Sequence, residues 1–410
     1  MSVNILRFLD KFFGIPLCFL LSIYRMITNK FNHNQSNVPQ RILFIKLSEM
    51  GSTVFLYPTI SELKKIYPQA ELFFIVFKNN KDILEELNFT KISNIYTVNT
   101  DSFFNLLVSG FNIVTTLRKK SIDTCFDMDF FSRLSSVLSF LICKGNRVGF
   151  HSFYNEGLSR GNLLTHRVNY SSHIHTSAAF FSLLKASYHE NPIKDLFYKG
   201  FIDESQFELP DYIPSSQSLL EIKQKLKSQG LDNEQQNSKI VIVNPNSSDI
   251  FYLRKWPLEN FILFCKLLLR EISNVFIVLT GTSFEQNDAI HIMNHVKSKR
   301  CINLVGQTSM KELLALYTLS DMMLTNDSGP AHFASLVKLP EIVLFGPETP
   351  QLYKPLGNSC KCLYAHFACS PCVSVFNAKK SPCRDNLCLK AISVEWVLSE
   401  SLKILDIPFI

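Results

Sequence analysis

The sequence predicts an α/β protein built from two doubly wound, Rossmann-like domains. At 410 residues the chain is too long for one typical hydrophobic core. Strand-like and helix-like segments alternate in two blocks, which predicts parallel sheets. A polar segment, residues 203–238, separates the blocks. A hydrophobic content of 46% argues against a disordered chain.

Residues 1–37 are predicted to form an apolar membrane-interface helix and a linker. The uncharged part, residues 12–24, is shorter than the roughly 20 residues that span a bilayer. Arg7, Lys11 and Arg25 add positive charge, which favours a helix lying on the cytoplasmic face of a membrane. A helix packed on the protein's own surface is the alternative.

The predicted first domain covers residues 38–205 and alternates strands with helices. Its predicted strands are 42–47, 71–77, 95–98, 124–128 and 147–150. Its predicted helices are 53–67, 81–87, 103–119, 133–143 and 173–187. The predicted linker, 206–238, contains one amphipathic helix, 218–229, which Gly230 ends.

The predicted second domain, residues 239–390, repeats the alternation, and a C-terminal helix follows within residues 391–410. Predicted strands are 240–243, 275–280, 302–305, 322–324 and 342–345. Predicted helices are 258–270, 285–297, 310–319, 331–337 and 394–404. The last two strands both lead into Gly-Pro turns, at Gly329-Pro330 and Gly346-Pro347. Nucleotides bind at this edge of open α/β sheets.

The first of these turns has the composition of a phosphate site. Gly329 lets the backbone approach a ligand closely, and Pro330 suits the first turn of a helix. The amides of that turn, the Ser328 hydroxyl and His332 are expected to point at one anion. An ordinary helix N-cap by Asp327 or Ser328 is the alternative.

Five motifs together resemble glycosyltransferase family 9, the lipopolysaccharide heptosyltransferase family. They are FIKLSEMG at 44–51, NPNS at 244–247, RKWP at 254–257, DSGPAH at 327–332 and FGPETP at 345–350. The resemblance runs from about Arg41 to the C-terminus. It implies the glycosyltransferase-B fold, in which two domains face each other across a cleft and the last helix can return to the first domain.

The resemblance also implies an inverting transfer that needs no catalytic cofactor. Arg254 stands where the family has a phosphate-contacting lysine, and Thr280 and Glu285 are expected near the nucleoside. The full set of predicted donor-binding residues is Asn246, Ser247, Arg254, Lys255, Thr280, Glu285, Asp327, Ser328, Gly329, Pro330, His332 and Glu348.

The catalytic base is where the sequence departs from the family pattern. The family has an aspartate directly after the Met-Gly pair, and Ser52 stands there instead. A serine is no base at neutral pH without help. We predict that Glu49 takes the role, with Lys46 as its electrostatic neighbour. The alternative is that Glu49 caps the helix that opens near Ser52.

Six of the eleven cysteines crowd into residues 360–388. Their spacing allows a structural zinc site made of Cys369, Cys372, Cys383 and Cys388. Reduced or redox-labile thiols in a loop are the alternative. No signal-peptide cleavage site follows the N-terminal apolar run, so a cytoplasmic chain is expected.

The predicted function is transfer of a heptose-like sugar from an ADP-heptose-like donor to a lipopolysaccharide or other lipid-linked glycan. The net charge of +7 suits such anionic partners and an acidic membrane face, and no nucleic-acid-binding signature is present. Histidines and arginines between 147 and 175 could bind an anionic acceptor or simply be solvated. Two alternatives stay open: a sugar-nucleotide epimerase or hydrolase, and a non-catalytic sugar-nucleotide-binding subunit.

Overall fold

The structure is a computed structural model with two compact units, Met1–Gln206 and Phe207–Ile410. It describes residues 1–28, 38–151, 160–188, 202–231, 238–247, 249–377 and 379–407. Residues 29–37 of the predicted N-terminal linker lie outside this description.

The first unit contains a six-stranded, fully parallel sheet with the order β3-β2-β1-β4-β5-β6. Its strands are β1 (Arg41–Ile45), β2 (Glu71–Phe77), β3 (Ile95–Val98), β4 (Thr124–Asp127), β5 (Asn146–His151) and β6 (His166–Asn169). Its helices are α1 (Val3–Phe12), α2 (Gly14–Thr28), α3 (Tyr57–Ile66), α4 (Lys81–Glu86), α5 (Phe103–Lys119), α6 (Arg133–Ile142) and α7 (Thr176–Ala186).

The central strands of this sheet are buried on both faces, which explains their continuous apolar runs. On one face the Phe44 ring stacks on Phe74 and on Phe126, each with ring centroids 5.2 Å apart. On the other face Leu43 and Ile45 join the core beneath α5 and α6. The sheet therefore has the two helix-covered faces of a doubly wound fold.

The second unit contains another six-stranded parallel sheet, with the order β12-β11-β10-β7-β8-β9. Its strands are β7 (Lys239–Asn244), β8 (Val275–Leu279), β9 (Cys301–Asn303), β10 (Met322–Asn326), β11 (Glu341–Phe345) and β12 (Cys360–Tyr364). Its helices are α8 (Ser216–Ser228), α9 (Leu258–Glu271), α10 (Gln286–Val296), α11 (Met310–Thr318), α12 (Gly329–Leu336), α13 (Pro350–Tyr353), α14 (Leu387–Lys390) and α15 (Val394–Ile404).

The predicted fold class is confirmed, since both units are doubly wound α/β structures. Two edge strands, β6 and β12, were not predicted, because His166–Asn169 and Cys360–Tyr364 are short, partly exposed and carry no apolar run. The helix in the predicted linker, α8, clusters with the second unit.

The last helix, α15, clusters with the second unit. Val397, Leu398 and Leu402 of α15 are buried in the core of the second unit, together with residues of α9. This burial fixes the helix on the second sheet.

The N-terminal segment forms two helices that pack on the first unit. The Asp10 carboxylate accepts hydrogen bonds from the backbone amides of Arg133 and Leu134, both at 2.9 Å, and so caps α6. Arg25 is buried and donates to the Leu164 carbonyl at 2.7 Å and to the Asn162 carbonyl. Within the described residues, no helix has the length and apolarity needed to cross a bilayer.

We expect Asp10→Ala to loosen α1 and α2, because it removes the cap of α6 and the partner of the Arg133 side chain at 3.2 Å. The loss should be about 1–3 kcal/mol, or roughly tenfold or more in local opening. Hydrogen exchange of the amides in residues 3–28 measures it. Asp101→Ala is the control, since Asp101 is exposed, and equal exchange in both variants would contradict the prediction.

Candidate active site

Three loops of the second unit leave the carboxyl edge of its sheet next to one another. Strand β10 lies between β7 and β11, with Thr325 in register with Asn244 and Asn326 in register with Leu344. The β7 loop covers residues 245–257. The first Gly-Pro turn, residues 327–330, follows β10, and the second, residues 346–350, follows β11. Their polar residues therefore start from adjacent strand ends.

The fully buried carboxamide of Asn326 ties two of these loops together. Its amide nitrogen donates to the Pro245 carbonyl at 2.7 Å. Its oxygen accepts from the Trp256 backbone amide at 2.9 Å. The Trp256 indole is itself buried and donates to the Ile392 carbonyl at 2.9 Å. The β7 loop is thus fixed at both ends beside the first Gly-Pro turn.

Arg254 is brought to the first Gly-Pro turn by Asp327. Its Nη2 lies 3.3 Å from Oδ2 of Asp327, and its Nε donates to the Asp327 carbonyl at 3.2 Å. Asp327 is buried, whereas the Arg254 side chain keeps some exposure. The guanidinium is therefore held in one place beside the first Gly-Pro turn, and the arginine fork is a group well suited to binding a phosphate-like anion.

The Lys255 side chain has a different partner from that of Arg254. Its ammonium lies 3.7 Å from the Asp288 carboxylate. Together with Tyr252, Arg384 and Lys390 it lines a pocket of about 320 Å³. The structure therefore places the two predicted cations in different surroundings.

Helix α12 begins at the first Gly-Pro turn with an open N-terminus. Ser328 is the N-cap residue, but no side chain caps the helix. The predicted alternative, an ordinary cap by Asp327 or Ser328, is therefore wrong. Gly329 and Pro330 are partly exposed, while His332 is buried in the helix. Uncapped amides at a helix start, beside a fixed guanidinium, form an anion-binding arrangement.

The residues predicted near the nucleoside converge on Gly281. A Cβ built there would lie 2.7 Å from Oε2 of Glu285 and 2.8 Å from Nδ2 of Asn246. Glu285 accepts from the Thr282 amide at 2.6 Å and so forms a capping box. The side-chain carboxamide of Asn246 is buried and makes no hydrogen bond to any described residue. It keeps a free donor and acceptor at this edge, as a ligand-binding side chain would.

Other predicted donor residues lie on the same three loops and at the end of β8. The Thr280 hydroxyl, directly after β8, accepts from Nδ2 of Asn244 at 3.3 Å, and Ser247 is buried near the start of the β7 loop. Glu348 is buried in the second Gly-Pro turn, with the Lys379 ammonium 3.8 Å from its carboxylate. Glu348 therefore faces a cation that the sequence did not single out.

The cysteine segment braces the second Gly-Pro turn and forms no zinc site in the described residues. No three Cys, His, Asp or Glu side chains are grouped there as metal ligands. The sulfurs have other surroundings: Cys383 contacts the Asp385 carbonyl, Cys372 contacts the Ser381 hydroxyl and Cys388 packs near Gly346. The amide of Cys372 donates to the Pro347 carbonyl at 3.0 Å. The structure therefore does not support the predicted set Cys369, Cys372, Cys383 and Cys388.

In the first unit, the loop after β1 is organised by a buried pair that the sequence did not reveal. The Lys46 ammonium lies 3.5 Å from Asp129 and donates to the Ser48 carbonyl. Asp129 also accepts from the Leu47 amide at 2.9 Å and from the Ser48 hydroxyl at 3.1 Å. Both members are buried, so Lys46 serves chiefly to hold this loop.

Glu49 sits at the tip of that loop in a left-handed conformation, with φ of 62°. Its carbonyl accepts the amide and the hydroxyl of Ser52, at 3.1 and 2.8 Å. Its side chain is partly exposed and does not cap the 3₁₀ helix Gly51–Leu56. A non-glycine residue held at positive φ is uncommon and often marks a functional site.

Two of the arginines considered for acceptor binding, Arg160 and Arg147, have structural roles. Arg160 is buried and lies 2.5 Å from Asp127, whose pKa burial raises to about 6 even though Arg160 lowers it. Arg147 donates to the carbonyls of Leu163 and Cys143. These side chains could not be assigned from sequence because their partners are distant along the chain.

At the carboxyl edge of the second sheet, the fixed guanidinium of Arg254 lies beside the uncapped N-terminus of α12. An α/β protein with this arrangement belongs to the class that binds ligands at the carboxyl ends of parallel strands. The model of glycosyltransferase family 9 (heptosyltransferase) matches residues 111–381, and the chain belongs to this family. The predicted resemblance is confirmed.

Known relatives agree with this assignment. Lipooligosaccharide heptosyltransferase 2 of Campylobacter jejuni is 26% identical over 189 residues, which is 45% of this chain and 57% of the relative. The match thus spans little more than half of that relative. A family 9 glycosyltransferase from Veillonella parvula has a TM-score of 0.71 at 18% identity, covering 89% of this chain and 97% of that one.

A third similar structure is that of E. coli heptosyltransferase WaaC with ADP-2-deoxy-2-fluoro heptose. Its TM-score is 0.61 at 15% identity, covering 89% of this chain and 99% of that one. At these identities the two solved structures show that the fold is shared.

We expect Asn326→Ala to destabilise the second unit by about 2–4 kcal/mol, because a buried N–H and a buried carbonyl lose their partners. Urea unfolding followed by Trp fluorescence measures the loss, since Trp256 is one of the bonded residues. Asn287→Ala, on the exposed side of α10, is the matched control. Equal stability of both variants would show that the Asn326 hydrogen bonds do not stabilise this part of the second unit.

Proposed function

We propose that the chain transfers a heptose-like sugar from an ADP-heptose-like nucleotide sugar to a lipopolysaccharide or other lipid-linked saccharide. The observation that carries this proposal is the placement of Arg254 beside the uncapped N-terminus of α12. The family assignment and the names of the relatives support the sugar and the acceptor class.

The departing diphosphate sets the first chemical demand. As the bond between the sugar and the phosphate oxygen breaks, negative charge grows on that oxygen. Arg254 and the first-turn amides of α12 would stabilise this charge without moving, because Asp327 and Asn326 already hold them. Asn246, Ser247, Thr280 and Glu285 would hold the nucleoside. No cofactor enters this proposal, and zinc has no part in it.

The attacking hydroxyl sets the second demand. It must form the new bond to the sugar carbon while its proton passes to a base. We assign that role to Glu49, whose partly exposed carboxylate stands at the loop tip, and we assign Lys46 to positioning the loop. Displacement from the face opposite the leaving diphosphate inverts the configuration.

The acceptor and the place of action follow from the same proposal. A lipid-linked saccharide is made at a membrane, so we place the enzyme on the inner face of the cytoplasmic membrane as a peripheral protein. The exposed apolar residues of α1 and α2 support this placement.

We expect Arg254→Ala to lower kcat by about 10²–10³, the usual effect of removing one group that stabilises transition-state charge. Asp327→Ala should act in the same direction, since Arg254 loses its holder. Steady-state assays with the donor and the acceptor measure both variants. Arg270→Ala, an exposed arginine on α9, is the control, and full activity of Arg254→Ala would remove the site assignment.

Glu49→Gln should reduce kcat by about 10²–10⁴ and leave donor binding unchanged, as expected for loss of a general base. Glu208→Gln is the matched control on an exposed carboxylate. An unchanged rate in Glu49→Gln would exclude Glu49 as the base.

The function itself is tested by offering ADP-heptose with and without a lipid-linked acceptor. Transfer only with acceptor supports the proposal. Hydrolysis or epimerisation without acceptor would favour the second enzyme class. Donor binding in a thermal-shift assay with no turnover would favour a non-catalytic subunit. That alternative is considered because Ser52 stands where the family has an aspartate.

A further inference from the structure

We infer that α1, α2 and α5 form one rigid apolar face that docks on an anionic lipid bilayer. The inference deepens the proposed function and rests on it only for the claim that the acceptor is lipid-linked. We call this surface the three-helix face: it consists of the exposed apolar side chains of Val3–Phe12, Gly14–Thr28 and Phe103–Lys119.

Large apolar side chains are exposed along all three helices. Phe8 and Phe19 are 63% and 64% exposed, and Phe104 and Phe111 on α5 are 72% and 70% exposed. The set also includes Ile5, Phe12, Leu17, Leu20, Ile23 and Leu107. A single exposed residue would need no explanation, but a contiguous set marks an interaction surface.

Aromatic contacts join the helices into one surface. Phe8 stacks on Phe12 at 5.6 Å, Phe12 contacts Phe13 at 5.1 Å, and Phe13 stacks on Phe103 at 5.7 Å, all between ring centroids. The chain of rings runs from α1 to the start of α5. The three-helix face therefore includes a helix of the sheet domain as well as the N-terminal segment.

The N-terminal helices are attached firmly by their opposite side. Asp10 caps α6, Cys18 is buried against α6, and Arg25 is bonded to the carbonyls of Asn162 and Leu164. The amino group of Met1 also donates to the Thr100 carbonyl at 2.6 Å. The apolar side chains are thus presented by a fixed surface, so docking would not need to order a loose tail.

The charges at this surface favour an anionic partner. Lys11, Arg118, Lys119 and Lys120 are exposed, and the only acidic residue of the three helices is Asp10, which Arg133 and α6 engage. Basic residues beside apolar ones suit anionic headgroups. A second copy of the chain would bring the same cations together, which disfavours self-association.

One charged side chain of α1, Arg7, interacts electrostatically with the candidate base. Arg7 on α1 lies within electrostatic range of Glu49: burial lowers the pKa of the Arg7 guanidinium, and the Glu49 carboxylate raises it.

Flotation of the full chain with vesicles tests the inference. We expect binding to phosphatidylethanolamine–phosphatidylglycerol vesicles, weaker binding to phosphatidylcholine alone, and a decrease with added salt. Phe104→Ser combined with Phe111→Ser should lower partitioning into vesicles by about tenfold or more. The double variant loses two exposed rings that would be buried in the bilayer on binding. Ile213→Ser, 85% exposed in the second unit, should bind like the parent chain.

Three results would overturn the inference: no vesicle binding by the parent chain, undiminished binding by the double variant, or a dimer in vesicle-free buffer that the double variant splits. Activity on a soluble acceptor saccharide separates this failure from failure of the proposed function. The double variant should keep that activity and lose transfer to acceptor embedded in vesicles. Binding to vesicles with no transfer to either acceptor would instead count against the proposed function.

Discussion

The geometry of the candidate donor site depends on one buried carboxamide. Asn326 ends a central strand and bonds to Pro245 and to Trp256, so the β7 loop cannot move independently of the first Gly-Pro turn. Arg254 precedes Trp256 by two residues and is placed by the same constraint. A buried carboxamide that satisfies two backbone groups is costly to replace, which keeps these loops in one arrangement.

The sheet order explains why a few hydrogen bonds are enough to hold these loops together. With β10 between β7 and β11, three loops begin at adjacent strand ends. β7 and β10 end in polar residues, Asn244 and Thr325-Asn326, and β11 leads from Phe345 directly into the second Gly-Pro turn. In the proposed function, the open end of α12 and the guanidinium of Arg254 would act together on one charge, since the fold already holds both in place.

Much of the fold and of the candidate donor site could be predicted from local sequence. The alternation of strands and helices predicted the fold class, and the two Gly-Pro turns predicted the edge of the sheet and half of the candidate donor residues. What could not be predicted depends on partners far apart in sequence: Lys46 with Asp129, Asp10 with α6, and Arg160 with Asp127. The cysteine spacing was misleading, because spacing alone does not say which way the sulfurs point. The extension of the N-terminal apolar surface onto α5 likewise required the fold.

The most direct measurement is the position of the diphosphate in a crystal structure of the chain with ADP-heptose. The account predicts phosphate oxygens within hydrogen-bonding distance of the Arg254 guanidinium and of the first-turn amides of α12, with the nucleoside near Asn246 and Gly281. A diphosphate bound elsewhere, for example in the pocket lined by Tyr252, Arg384 and Lys390, would contradict it.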